Sequence, residues 1–212
     1  MKRRDFVLFG LFGVSAMALA ACAKKPKFSP FLPGSRVLAF GDSVTFGTGA
    51  GDGEDWPTLL GGLSGWMVIN AGVSGDTAEA GRSRIPGLLE EHKPALVIIE
   101  IGGNDFLRRR PANAVKNDLK ELVAAVRRAG AQPVLVGVPE LSLLAVVAAK
   151  ATDSPIYEEI GKEENVPVIS GVFSDVLSRP ELCSDKIHPN ASGYRQMAAG
   201  IHSGLIRLGL AR

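Results

Sequence analysis

The chain has 212 residues, of which 46% are hydrophobic and only 6% aromatic. Its 24 Lys and Arg residues against 22 Asp and Glu leave a formal charge of +2, and residues 1–21 account for all of it through Lys2, Arg3 and Arg4 against Asp5. The remainder is about neutral and lacks an aromatic stacking platform, which argues against a nucleic-acid partner, while its apolar content suffices for one ordinary globular core.

Residues 1–21 open on a charged head, continue through the apolar run 6–18 and close on Leu19, Ala20 and Ala21. The run is short for a bilayer span and ends in small residues, the pattern of a secretory signal. Leu19 to Cys22 resembles the bacterial lipobox, which implies lipid on Cys22, cleavage just before it and anchorage to a membrane of the cell envelope. Residues 22–34 are basic and proline-rich without a period, and read as an extended tether. Once Cys22 is lipidated, Cys183 has no partner for an intrachain disulfide and reads as a small buried apolar residue.

From residue 35 to residue 212 a single domain is expected. Strand candidates are 36–40, 66–70, 95–101, 133–138 and 166–169, each nearly continuous in apolar residues as strands covered on both faces should be. Between and after them, 55–63, 77–92, 112–129, 155–164 and 190–208 carry apolar positions at helical spacing, with Gly130 as a C-cap for the third. Alternating strands and helices predict βαβ units: a three-layer α/β/α fold around a doubly wound, five-stranded parallel sheet of order 2-1-3-4-5.

In that order strands 2 and 3 flank strand 1, so the segments after these three strands share one edge. They are Gly41-Asp42-Ser43, Asn70-Ala71-Gly72 and Gly102-Gly103-Asn104-Asp105. Acyl transfer needs a nucleophile, a base and donors aimed at an oxyanion. Ser43 offers the hydroxyl; its own N–H, the Gly72 N–H and the Asn104 side-chain amide offer the donors. Of three histidines, His92 ends a helix among charged residues and His202 has no acidic neighbour, whereas His188 follows Asp185 by three residues in a loop. That spacing lets the carboxylate accept from Nδ1 while Nε2 faces Ser43; the other reading of Asp185 is a cap for the helix near Asn190. Asp42 and Asp105 read as turn-forming acceptors. The glycine-rich stretch 47–53 lacks the basic residue of a phosphate cradle and reads as a rim of the cleft. Position 45 is threonine, so the GxSxG elbow is absent.

Gly41-Asp42-Ser43-Val44-Thr45-Phe46-Gly47, Gly72, Gly103-Asn104-Asp105 and Asp185-Lys186-Ile187-His188-Pro189 together resemble, in order and spacing, the four signature blocks of the SGNH (GDSL) hydrolases. The resemblance is to the small bacterial thioesterase, lysophospholipase and arylesterase branch. It implies Ser43 as nucleophile, Gly72 and Asn104 as oxyanion donors, His188 as base and Asp185 as its orienting acid. It further implies ester or thioester hydrolysis through an acyl-serine, with no metal or cofactor. The substrate expected is a small ester or lipid, and a monomer is expected. Phe46, Phe106, Leu107 and Leu141 follow strand ends and are candidates for an acyl pocket, or else core and rim residues.

Overall fold

A computed structural model describes residues 28–140 and 151–212; residues 1–21, Cys22, the tether up to Lys27 and Leu141 lie outside them. In chain order the elements are β1 (Arg36–Gly41), α1 (Ser43–Phe46), α2 (Trp56–Ser64), β2 (Met67–Gly72), α3 (Ala78–His92), β3 (Leu96–Glu100), α4 (Gly103–Leu107), α5 (Ala112–Arg128) and β4 (Gln132–Val136). After the second described stretch begins come α6 (Ile156–Glu163), β5 (Val168–Ile169), α7 (Val172–Leu177), a single 3₁₀ turn at Pro180–Leu182 and α8 (Ala191–Arg207). Among the described residues no helix is long and apolar enough to cross a membrane.

The five strands form one parallel sheet in the order β2-β1-β3-β4-β5, the predicted doubly wound topology. Leu38 pairs with Ile69 on one side and Val97 on the other. Helix α2 packs against α8, and α5 packs against both α3 and α6, so helices cover the sheet in two layers. This explains the continuous apolar runs: Val37 to Phe40, Leu96 to Ile99 and Val134 to Val136 are fully buried. The edge strand β2 departs from the expectation, because it has no neighbour on its outer side and Met67 is exposed. β5 is likewise only two residues long, against the four expected.

Local chemistry sets the helix ends. Asp55 caps α2 by accepting from Thr58 N–H at 2.9 Å, with Pro57 in the first turn. Asn190, rather than Asp185, caps α8, its Oδ1 accepting from the N–H groups of Ser192 and Gly193. Gly130, just past α5, takes the left-handed conformation at φ 79 that ends a helix cheaply only with glycine. Three short helices, α1, α4 and α7, lie outside the expected set. Four to six residues are too few to display a 3.6-residue period.

Asp105 has a larger role than forming a turn. Its side chain is completely buried, accepts from the first N–H of α3 at Ala78 (2.9 Å) and pairs with Arg110. Arg110 also lies 2.9 Å from Asp118, which holds Arg82 at 2.7 Å. One carboxylate thus joins α4 to the start of α3 and, through Arg110, to α5. Removing it leaves a buried helix N–H unsatisfied and a half-buried guanidinium short of one partner. Asp105→Ala is therefore expected to cost about 3 kcal/mol, at the low end of broken buried pairs because Asp118 still faces Arg110. Urea unfolding measures it; a loss within the error of a surface substitution would contradict this account.

Candidate active site

Ser43 is the first residue of α1, which starts two residues after β1 ends, so its hydroxyl stands at the carboxyl edge of the sheet. Asp42 caps this helix, Oδ1 accepting from Val44 N–H at 3.1 Å. Ser43 Oγ lies 3.0 Å from His188 Nε2, and His188 Nδ1 lies 2.7 Å from Asp185 Oδ2. The other carboxylate oxygen of Asp185 accepts from the N–H groups of Ile187 and His188, both at 2.8 Å. The loop bearing these two residues is closed by Ser184 N–H donating to His188 O at 2.9 Å. Asn190 then fastens it to α8, its amide donating to Glu181 O and Cys183 O. Burial would raise the pKa of Asp185, but the hydrogen bonds from His188 and the two backbone N–H groups outweigh it and hold the carboxyl below its ordinary value. Residues 145 apart in sequence therefore meet in one line of hydrogen bonds.

The donor set differs in part from the expectation. Asn104, in the first turn of α4, points its amide at the Asp76 carbonyl at 2.9 Å, and makes only a long contact of 3.4 Å with Asp42 Oδ2. The Ser43 N–H opens α1 and so has no partner within that helix. Gly72, however, donates its N–H to Asn70 Oδ1 at 2.9 Å. Its lack of a side chain serves packing: a Cβ there would collide with the backbone of Thr45 and Phe46, so glycine lets α1 cross the end of β2. The unengaged glycine N–H in this region belongs to Gly75, at φ 82 in the turn closed by Asp76 N–H and Val73 O; no partner for it is found among the described residues. Gly75 precedes Asp76, whose carbonyl receives Asn104, so the two donors border one space. Ser-Gly-Asp-Thr at 74–77, a turn ahead of a capped helix, was the sequence signal for it.

Arg84 was also missed, being read simply as part of a helix. From α3 it donates to Ala71 O at 2.7 Å, to Gly41 O at 3.1 Å and through two nitrogens to Asp76 Oδ2. Of the four apolar candidates, Phe106 is buried and packs in the core, while Phe46 and Leu107 are exposed at 59% and 45%. Leu141 lies outside the described residues. Cys183 is half-buried, and burial together with the Asp185 and Glu181 charges pushes its thiol pKa up, which makes it a poor nucleophile. Among the described residues no group of three or more His, Cys, Asp and Glu side chains is placed to hold a metal ion.

Behind the serine lie two buried carboxyls. Glu100, at the end of β3, accepts from Thr45 Oγ1 at 2.7 Å, and its other oxygen has no hydrogen-bond partner. Burial, then the neighbouring Asp42 charge, raises its pKa well above the usual carboxylate range. Asp42 is itself pushed up to about 7, by burial against the opposing pull of the Val44 N–H and His188. An unpaired anion with an unsatisfied oxygen is costly in a protein interior, and a proton on Glu100 removes that cost.

A serine at a sheet's carboxyl edge, joined to a histidine and an aspartate and bordered by amide donors, defines a serine hydrolase site. Residues 39–196 match the GDSL-like Lipase/Acylhydrolase family, and the chain belongs to it. It is 34% identical over 159 residues to thioesterase 1/protease 1/lysophospholipase L1 of Escherichia coli, covering 73% of this chain and 75% of that protein. It is 27% identical to an arylesterase of Vibrio mimicus, over 81% of this chain and 88% of the relative. The crystal structure of TesA superposes with a TM-score of 0.72 at 27% identity, over 82% of this chain and 99% of that one. That of an SGNH-hydrolase family esterase gives 0.62 at 28% identity, over 82% and 96%. The protein is a serine ester hydrolase with the SGNH fold.

The raised carboxyls make a signed prediction. Folded Asp42 and Glu100 bind protons more tightly than the unfolded chain, so their joint effect is to lower stability as pH rises from about 4, the ordinary carboxyl value, through the value of about 7 for Asp42. Glu100→Gln keeps an acceptor for Thr45 and carries no charge, so its unfolding free energy is expected to fall less between pH 5 and pH 8 than that of the wild type. Equal losses in both proteins, by urea unfolding, would refute the assignment.

Proposed function

We propose that Ser43 is the nucleophile, His188 the general base and acid, Asp185 its orienting partner, and that the protein hydrolyses acyl or aryl esters and thioesters, lysophospholipid-like amphiphiles among them. The observation that carries this reading is the line from Ser43 Oγ through His188, at 3.0 Å and 2.7 Å, to Asp185. His188 Nε2 takes the Ser43 proton as Oγ attacks the carbonyl carbon. The tetrahedral oxyanion is met by the N–H of Ser43, the Nδ2 amide of Asn104 and, in the place first expected of Gly72, the N–H of Gly75. Collapse expels the alcohol or thiol, protonated by His188, and leaves Ser43 acylated. Water then attacks the acyl carbon, giving its proton to His188, and the second collapse returns a proton to Ser43 and frees the carboxylic acid.

Exposed Phe46 and Leu107, each one turn beyond Ser43 or Asn104, favour an apolar acyl or aryl group over acetate alone. For location we propose the bacterial cell envelope, on a lipid attached to Cys22 after removal of residues 1–21; the support is the run Leu19-Ala20-Ala21-Cys22.

Ser43→Ala is expected to abolish p-nitrophenyl ester turnover and to lose the mass adduct that a fluorophosphonate leaves on the wild-type serine. Retained turnover in that variant would sink the mechanism. Asn104→Ala is expected to lower kcat about 100- to 1,000-fold with a smaller change in KM, as for loss of one oxyanion donor. A change confined to KM would assign Asn104 to substrate binding instead.

A further inference from the structure

The chain enters the fold at the end opposite Ser43. Phe31 N–H donates to Leu210 O at 2.9 Å, Gly34 N–H to Gly65 O at 2.8 Å and Met67 N–H to Ser35 O at 3.0 Å, all beside the amino-terminal ends of β1 and β2. Ser43 and Asn104 follow the carboxyl ends of β1 and β3. The six residues of β1 set these two poles about 20 Å apart along the strands alone.

The entry pole has its own surface character. Leu32, Leu63, Met67 and Ile206, exposed at 56%, 51%, 59% and 44%, all lie there: one in the entering segment, one in the first position of β2, and two in the last turns of the neighbouring helices α2 and α8. Exposed Arg36, Arg207 and Arg212 accompany them, while α2 and α8 contain no Asp or Glu. On the far side of the same pole Glu90, Glu91, Glu163 and Glu164 mix with Lys93 and Arg127, so the apolar and basic character is confined to the α2–α8 side. Lys24, Lys25 and Lys27 precede the entry point in sequence. Apolar side chains set among arginines without carboxylates match the interface of an anionic bilayer.

We propose that this pole rests on an anionic lipid surface, so that Ser43 faces away from the anchoring membrane and the enzyme takes its esters from the aqueous phase rather than from that bilayer. For the anchor itself this rests on the lipid proposed at Cys22. From Cys22 to Phe28 the chain reaches about 20 Å at full extension, whatever its conformation. A domain of this size is about 40 Å across. Turning the site onto the bilayer needs a tether that spans the domain from pole to pole, about twice the reach available. Embedded diacyl lipids of the anchoring leaflet are therefore out of range. Soluble esters and thioesters, and amphiphiles that leave the bilayer as monomers, are within it.

Chain 22–212 holds every described residue of the fold and, with Cys183→Ser, offers one thiol. Coupled through Cys22 to a maleimide lipid in phosphatidylglycerol-containing vesicles, it is expected to hydrolyse a soluble p-nitrophenyl ester as fast as the free chain does. For a bilayer-embedded fluorogenic ester that the free chain cleaves in micelles, inserting about thirty Gly and Ser residues between Lys27 and Phe28 is expected to raise the rate about tenfold or more. Equal rates with short and long tethers would overturn the orientation. Uncoupled, the chain is expected to float with phosphatidylglycerol vesicles and not with phosphatidylcholine ones, and Met67→Glu with Ile206→Glu is expected to abolish this. A chain that ignores both vesicles, or floats as well with the glutamates, overturns the surface. Palmitate labelling of the native precursor reports separately on Cys22: its absence ends the lipid assignment, while the coupled chain still decides the orientation.

Discussion

The guanidinium of Arg84 lies over the ring of Phe40, 4.2 Å from its centroid, and bonds carbonyls at the ends of two adjacent strands, that of Gly41, the last residue of β1, and that of Ala71, the next to last of β2. Its remaining edge holds the carboxylate of Asp76. Gly41 O also accepts from Val73 N–H at 3.1 Å, so the arginine is a second donor there; a carbonyl has two lone pairs, and in a largely dry setting a charged donor suits the one left over. A planar fork with five N–H groups can serve three acceptors at once where an ammonium could not keep the geometry. The consequence reaches the chemistry, because Asp76 O in turn receives the Asn104 amide at 2.9 Å. Strand β1 ahead of Ser43, the turn bearing Gly75 and helix α4 bearing Asn104 are thereby referred to one side chain, only 24% exposed.

Close approach is the second constraint. Helix α1 starts almost at once after β1 and passes over the end of β2, which only a glycine at position 72 permits; a Cβ at Gly41 would likewise collide with Thr45 and the Glu100 carbonyl. The tight turn brings Thr45 down onto Glu100 and buries Asp42 beside it. The serine is thus raised to the surface by driving its neighbours into the interior, and two carboxyls end up where ionisation is disfavoured. Asp42 accepts the Val44 N–H as an ordinary cap does; its proton affinity is what distinguishes it.

The sheet was legible because its central strands are covered on both faces, which writes uninterrupted apolar runs such as 37–40 and 96–99 into the chain. With strand order in hand, Ser43, Gly72 and Asn104 could be placed near one another without any contact being known, whereas His188 stood out among three histidines by its spacing from Asp185. What escaped has a common cause. Arg84 sits in an amphipathic helix where any arginine reads as a solvated face, and Asp105 adjoins a site residue while its partners lie on α3 and beyond α4. Gly72 and Gly75 are both glycines next to one strand end; only the Asn70 carboxamide, folded back onto the Gly72 N–H, tells them apart. Periodicity reports burial, and such choices are made by single hydrogen bonds that leave no period.

A sheet whose strands all run one way is a polar object, and that polarity orders the whole molecule. Catalytic groups gather at the carboxyl ends because the loops there are followed by helix N-termini, whose free N–H groups suit developing negative charge. Helices α2 and α8 run back against the strands and end at the other pole, where Phe31 N–H meets Leu210 O. Both ends of the folded region therefore emerge at the pole remote from the chemistry. Any short attachment through either end leaves the site outward, whatever its chemical nature, and only a longer linker or a second surface could turn it over. For a chain held by such an attachment, the direction of five parallel strands would constrain which esters reach Ser43 before any pocket residue has been considered.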